Sequence, residues 1–106
     1  MLESEFNDKV DAIYASLEDQ IDEFDQDLDV EFSGSVLTVV FPDGSQVILS
    51  RQVASHEIWV AARSGGFHLR LDADRWHCGT TGEDLQALLN RTFTEQLGAP
   101  VSFTAL

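Results

Sequence analysis

An apolar side chain recurs at every third or fourth position over the first 28 residues, with one adjacent pair. The stripe consists of Leu2, Phe6, Val10, Ile13, Tyr14, Leu17, Ile21, Phe24 and Leu28. Steps of three and four return to the same side of an α-helix, so this spacing excludes a strand or a disordered tail. We predict a long amphipathic helix from about Ser4 to Asp25, with Ser4 as its N-cap.

The pattern changes after this segment to short runs rich in β-branched and aromatic residues, separated by Gly, Pro, Asp and Ser. The predicted strands are Val30–Phe32, Val36–Phe41, Gln46–Leu49, Glu57–Ala62, Phe67–Leu71 and Arg75–Cys78. The breaks between them are short, and parallel pairing would need longer crossover connections, so we expect antiparallel neighbours. Ser64-Gly65-Gly66 is the predicted turn between the fourth and fifth runs.

A second helix is indicated near the end of the chain by Leu85, Leu88, Leu89, Phe93 and Leu97. Thr80 and Glu83 have the spacing of a capping box before it, and Gly98 is well placed to end it. We therefore predict an α+β two-layer sandwich, with two helices on one face of a five- or six-stranded antiparallel sheet. A chain of 106 residues forms one such domain, residues 1–106.

Charge is concentrated in the first predicted helix. Twelve of the 19 acidic residues lie in the first 31 positions, beside one base, Lys9, and the whole chain carries a net charge of −13. Such a surface repels nucleic acid and anionic membranes, so we expect neither as a partner. Cations or a basic protein surface suit it better. The single cysteine and the lack of a basic, apolar leader at the first residues favour a cytoplasmic protein.

Position along the helix separates two groups of carboxylates. Acids near the start suit the helix dipole, but the acidic ridge, defined as Glu18, Asp19, Asp22, Glu23, Asp25 and Asp27, lies at the end where the dipole opposes negative charge. Three pairs of these residues are four apart on the predicted helix, and their repulsion costs about 0.2–0.5 kcal/mol each: Glu18/Asp22, Asp19/Glu23 and Glu23/Asp27. The simpler explanation of these carboxylates is a polar helix face that keeps the protein soluble. Folding, however, does not require acids at this end of the helix, whereas binding a cation or a basic surface would require them.

The chemistry of the ridge favours hard ions. Ligands that are all oxygen suit Ca²⁺, Mg²⁺, Mn²⁺ or iron better than zinc. Asp25, Asp27 and Asp29 have the spacing that begins an EF-hand loop, but Val30 and Val36 occupy the positions that need Gly and Glu. We therefore predict an open carboxylate surface with weak and poorly selective metal binding.

A second candidate surface lies on the predicted sheet. Alternation places Ile58 and Val60 towards the helices and Trp59 on the opposite face, where His68 and Arg70 of the next strand also lie. An exposed Trp beside Arg is typical of a protein-binding surface. The alternative is that Trp59 covers an edge of the core and is only half exposed.

Several of these segments together resemble the frataxin family, and its bacterial members in particular. They are Ser4-Glu5-Phe6, Ser50-Arg51-Gln52, Glu57-Ile58-Trp59-Val60-Ala61, Ser64-Gly65-Gly66-Phe67-His68, Arg75-Trp76 and Val101-Ser102-Phe103. The resemblance covers essentially the whole chain and rests on the order of the segments after an acidic helix. One departure is Asn7, where some bacterial members have a metal-binding His.

The resemblance implies a function in iron–sulfur cluster assembly. It implies weak Fe²⁺/Fe³⁺ binding, with other hard divalent cations as further ligands, at Glu18, Asp19, Asp22, Glu23 and Asp25, and at Asp29 or Glu31. It also implies docking on the cysteine desulfurase and its scaffold protein. For that docking, the predicted contacts are Glu18, Asp19, Asp22, Trp59, His68 and Arg70.

The resulting hypothesis is a non-enzymatic iron-binding protein that regulates the desulfurase and scaffold complex or supplies iron to it. We expect a monomer, with metal-dependent oligomerisation as the alternative. Two other functions stay open from the sequence. One is an acidic adaptor that binds a basic protein without metal, and the other is an iron-storage or ferroxidase protein, which would need a closed metal site.

Overall fold

The chain forms one helix, six strands and a second helix, in a computed structural model that describes residues 1–106. The elements are α1 (Glu3–Asp22), β1 (Asp29–Ser33), β2 (Val36–Val40), β3 (Gln46–Gln52), β4 (Glu57–Ala62), β5 (Gly65–Asp72), β6 (Arg75–Cys78) and α2 (Leu85–Leu97). The predicted α+β sandwich is confirmed, with six strands in the sheet.

Helix α1 buries the predicted apolar stripe, from Phe6 to Ile21, against the sheet. Its start lies within one residue of the predicted position, but the predicted N-cap and the predicted C-terminal end were wrong. The N-cap is Leu2, because the backbone N–H of Phe6 donates to the Leu2 carbonyl at 3.0 Å and closes the first turn before Ser4. The helix ends at Asp22, and Phe24 lies beyond it with its N–H bonded to the carbonyl of Ile21 at 3.0 Å.

The sheet is a six-stranded antiparallel meander in the order β1-β2-β3-β4-β5-β6. All six predicted strands are present, with some ends displaced. The predicted turn Ser64-Gly65-Gly66 was wrong, since Ala62 pairs with Gly65 and both glycines belong to β5. The turn is therefore the two residues Arg63 and Ser64, the length that most antiparallel hairpins use.

Helix α2 begins later than a capping box at Thr80 would require. Its N-cap is Asp84, whose Oδ1 accepts from the backbone N–H of Ala87 at 2.8 Å. Glu83 does not cap the helix and pairs instead with Arg91, with Nε and Oε2 2.9 Å apart. Gly98 ends α2 in the left-handed conformation with φ 73°, as predicted.

The core lies between the two helices and one face of the sheet, and it is closed by the C-terminal tail, residues 101–106. Phe103 is fully buried, with its ring 5.4 Å from that of Phe24 and 5.0 Å from that of Phe93. The amide of Gln20 on α1 both donates to and accepts from the backbone of Thr104, at 2.9 and 3.0 Å. The tail therefore joins the end of α1 to α2.

Candidate metal and partner-binding surfaces

The acidic ridge lies partly on α1 and partly beyond it. Glu18, Asp19 and Asp22 belong to the last turns of the helix, Glu23 is its C-cap, and the remaining members follow in the connection to β1. All six are exposed except Glu18, which is half-buried. The predicted helical repulsion between Glu23 and Asp27 was therefore wrong, because Asp27 is outside the helix. That between Glu18 and Asp22 remains.

No base neutralises this ridge. All six ion pairs of the structure involve arginines, and their carboxylates are Asp11, Asp43, Glu57, Glu83, Asp84 and Glu95. The last turn of α1 contains no basic residue, although that end of a helix favours cations. The ridge thus presents unpaired negative charge at the negative end of the helix dipole.

The carboxylates of the ridge do not converge on one point. No group of three or more His, Cys, Asp or Glu side chains in the chain is placed to hold a metal ion. Asp29 and Glu31, the two further predicted iron contacts, lie on the edge strand β1 and are exposed. An ion at this surface would keep most of its water and contact one or two carboxylates.

The start of α1 is fixed to the sheet by Arg51 of β3. Its Nη1 donates to Oδ1 of Asn7 at 3.0 Å, its Nη2 donates to Asp11, and its guanidinium lies 5.2 Å from the centre of the Tyr14 ring. Asn7, the departure from the bacterial pattern, therefore has a structural contact here. Asp11 is paired, unlike the ridge residues further along the helix.

Tyr14 completes this attachment. Its single O–H is shared between the carbonyls of Ser35 and Leu49, at 3.1 and 3.2 Å, and burial raises its pKa to about 12. Between α1 and the β1–β2 hairpin is an open concavity of about 270 Å³, lined in part by Glu18, Phe32 and Arg51. Phe32 is half exposed at its rim.

The outer sheet face, defined as Glu57, Trp59, His68 and Arg70, lies opposite the helices. Trp59 is 38% exposed and pairs across β4 and β5 with His68, their rings stacked 4.2 Å apart at 8°. His68 and Arg70 are exposed on the same face, as predicted. Both alternatives for Trp59 fit part of this geometry, since the ring is partly covered and still accessible.

Glu57 is the residue of this face that was not predicted from the sequence. It is only 8% exposed and accepts three hydrogen bonds. Oε1 accepts from Ser55 Oγ at 2.9 Å and from the indole N–H of Trp59 at 3.1 Å, and Oε2 accepts from Arg70 Nε at 2.8 Å. These bonds, that with Arg70 foremost, lower the pKa of Glu57 to about 2. Strand alternation, which puts Glu57 on the face of Trp59, was the signal that could have found it.

Beside this network the surface forms an open concavity of about 740 Å³. It is lined almost entirely by polar residues and glycines, among them Glu57, His68, Arg70 and His77.

Neither helix of the protein is long and apolar enough to cross a membrane.

A helix–sheet–helix sandwich with free carboxylates at the end of the first helix and an exposed Trp on the open face of the sheet is the arrangement expected of frataxins. The family model for the frataxin-like domain matches residues 1–99, and the chain belongs to this family.

Named relatives and a solved structure agree with this assignment. The iron-sulfur cluster assembly protein CyaY of Pseudomonas aeruginosa is 49% identical, over all of both chains. CyaY of Stutzerimonas stutzeri is also 49% identical, over 98% of this chain and 96% of its own length. The structure of frataxin from Psychromonas ingrahamii superimposes with a TM-score of 0.90 at 30% identity, covering 99% of this chain and 100% of that one.

Proposed function

We propose that this protein binds iron and acts in iron–sulfur cluster assembly, as a non-enzymatic partner of the cysteine desulfurase and its scaffold protein. The names of its full-length relatives support the pathway. The observation that carries the proposal is the acidic ridge, whose carboxylates have no basic partner within the protein.

Iron would bind through Glu18, Asp19, Asp22, Glu23 and Asp25, with Asp29 or Glu31 as further contacts. Oxygen ligands suit this hard ion, and the dipole of α1 favours a cation at its last turn. Because no three of these side chains enclose one point, the ions are held weakly and exchange rapidly. Other hard divalent cations would compete for the same carboxylates.

Docking would use the ridge and the outer sheet face together. Unpaired Glu18, Asp19 and Asp22 supply long-range attraction to a basic patch on the desulfurase, which raises the association rate and fixes orientation. Trp59 supplies the apolar contact, with His68 and Arg70 around it, since partly exposed aromatic residues carry much of the energy in such interfaces. The free protein would be a monomer.

The test is a titration with Fe²⁺ under anaerobic conditions, followed by backbone amide shifts. Signals of residues 18–25 should move, and those of β4 and β5 should not. Desulfurase and scaffold binding is then measured with and without iron. Stationary ridge signals together with successful docking would make the protein a metal-free adaptor. Rapid oxidation of Fe²⁺ with a fixed stoichiometry would instead indicate a ferroxidase or storage function.

A further inference from the structure

The indole of Trp59 is held on two sides in the free protein. Its N–H donates to Glu57 Oε1 at 3.1 Å, and one ring face stacks on His68 at 4.2 Å. Glu57 and Trp59 are two apart on β4, so both point away from the core, and His68 is the direct cross-strand neighbour of Trp59. An accessible Trp on a sheet surface does not need either contact for folding.

The carboxylate that holds the indole is itself fixed from three directions. Ser55 donates to it from the turn before β4, Trp59 from the same strand, and Arg70 from the opposite position on β5. Its side chain is only 10% exposed, whereas that of Arg70 is 75% exposed. A docking protein therefore reaches Trp59 and Arg70 but has little access to Glu57.

We propose that Glu57 is a positioning residue of the docking surface, which fixes the indole of Trp59 in the orientation that the partner contacts. This inference rests on the proposed function, in which Trp59 is the apolar contact. A free aromatic side chain loses conformational freedom when it docks, and one that is already fixed loses less. Glu57 raises affinity by ordering Trp59 before the partner arrives.

The same geometry defines the chemistry of the partner at this point. The indole N–H is already bonded to Glu57, and one ring face is covered by His68. The partner therefore contacts the remaining ring surface with an apolar or cationic side chain, and it does not need a hydrogen-bond acceptor for the indole.

A double-mutant cycle tests this inference. The dissociation constant for binding of this protein to the desulfurase–scaffold complex is measured for the wild type, E57A, W59A and the double variant. We expect E57A to weaken binding about fivefold to tenfold, the affinity that corresponds to ordering one additional side chain on docking. In the W59A background the same substitution should have no further effect, because Glu57 acts through Trp59.

Two further variants and one further measurement complete the design. E57Q retains an oxygen that can accept from the indole and should keep most of the affinity, and D74N, in the exposed turn after β5, removes one charge without touching the network. If E57A fails to fold, E57M keeps the length of the side chain and removes the acceptor. Hydrogen exchange of the Trp59 indole should become faster in E57A, while that of buried Trp76 stays unchanged.

The outcomes separate the two proposals. If W59A binds the complex as tightly as the wild type, the docking face of the proposed function is wrong. If W59A weakens binding but E57A leaves it unchanged, or if the two effects add in the double variant, Glu57 does not act by positioning Trp59.

Discussion

The acidic ridge and the outer sheet face differ in how their charges are satisfied. On the ridge, Glu18, Asp19 and Asp22 have no partner within the chain, and the helix dipole opposes them. On the outer sheet face, Glu57 has three donors and Arg70 has a carboxylate. In the proposed function, the ridge therefore supplies long-range attraction, whereas the outer sheet face is a fixed surface for short-range contact.

The largest effect should come from reversing the ridge. Replacing Glu18, Asp19 and Asp22 by Lys should weaken docking on the desulfurase about a hundredfold, because the attraction becomes repulsion. The free energy of unfolding should stay equal or increase, since these side chains then suit the dipole. Binding is measured by calorimetry and stability by urea unfolding.

The matched control is reversal at the opposite end of α1. Replacing Glu3, Glu5 and Asp8 by Lys changes the net charge by the same amount, but it places cations at the positive end of the dipole. We expect nearly normal docking and a loss of about 1 kcal/mol in stability. Equal loss of docking in both triple variants would show that net charge, and not the ridge, attracts the partner.

Removal of the indole should have the next largest effect on binding. W59A should weaken docking about thirtyfold, as expected for a buried aromatic contact, because the substitution removes the apolar anchor. Stability should change little, since the ring lies outside the core. In contrast to the ridge variants, the loss should be nearly independent of salt, and a steep salt dependence would contradict a short-range contact.

A substitution of Arg51 should affect the stability of the protein but not its iron binding. R51M should lower the free energy of unfolding by about 1–2 kcal/mol, because it removes the hydrogen bond to Asn7 and the ion pair with the exposed Asp11. Iron-induced amide shifts at residues 18–25 should persist, because the ion pair of Arg51 is with Asp11 and not with a residue of the acidic ridge. Loss of those shifts in a folded R51M protein would contradict the division between the start and the end of α1.

The smallest effect concerns pH and Glu57. Its pKa is about 2 in the folded protein and 4.5 ordinarily, so the folded state favours the charged form. Its contribution to stability is therefore complete above about pH 4.5 and is lost as pH falls towards 2. The difference in unfolding free energy between wild type and E57Q, measured in urea from pH 2 to 7, should shrink over that window. A constant difference would show that the carboxylate charge is not the cause.

The order of elements could be predicted because local patterns determine it. Apolar residues at steps of three and four predicted the presence of α1, and alternation placed Trp59, His68 and Arg70 on one face. Family membership followed from the same segments, and the frataxin-like match covers most of the chain. The roles of the individual site residues stay predictions, which the experiments above address.

Features set by distant contacts could not be predicted. Helix α1 ends at Asp22, and just beyond this end Phe24 packs on Phe103, a residue about eighty positions away. The pairing of Asp11 with Arg51 joins a helix to the third strand, and no local pattern signals it. The contacts of Glu57 could be recognised only from the strand register and the buried position of its side chain, which the sequence does not show.

The attachment of the C-terminal tail also affects how the protein matures. The ridge is synthesised before residues 103 and 104, yet Gln20 is bonded to Thr104 and Phe24 packs on Phe103. These contacts cannot form until residue 104 has left the ribosome. A nascent chain therefore exposes the acidic segment before its final packing, and the ridge reaches its packed form only after residues 103 and 104 have emerged.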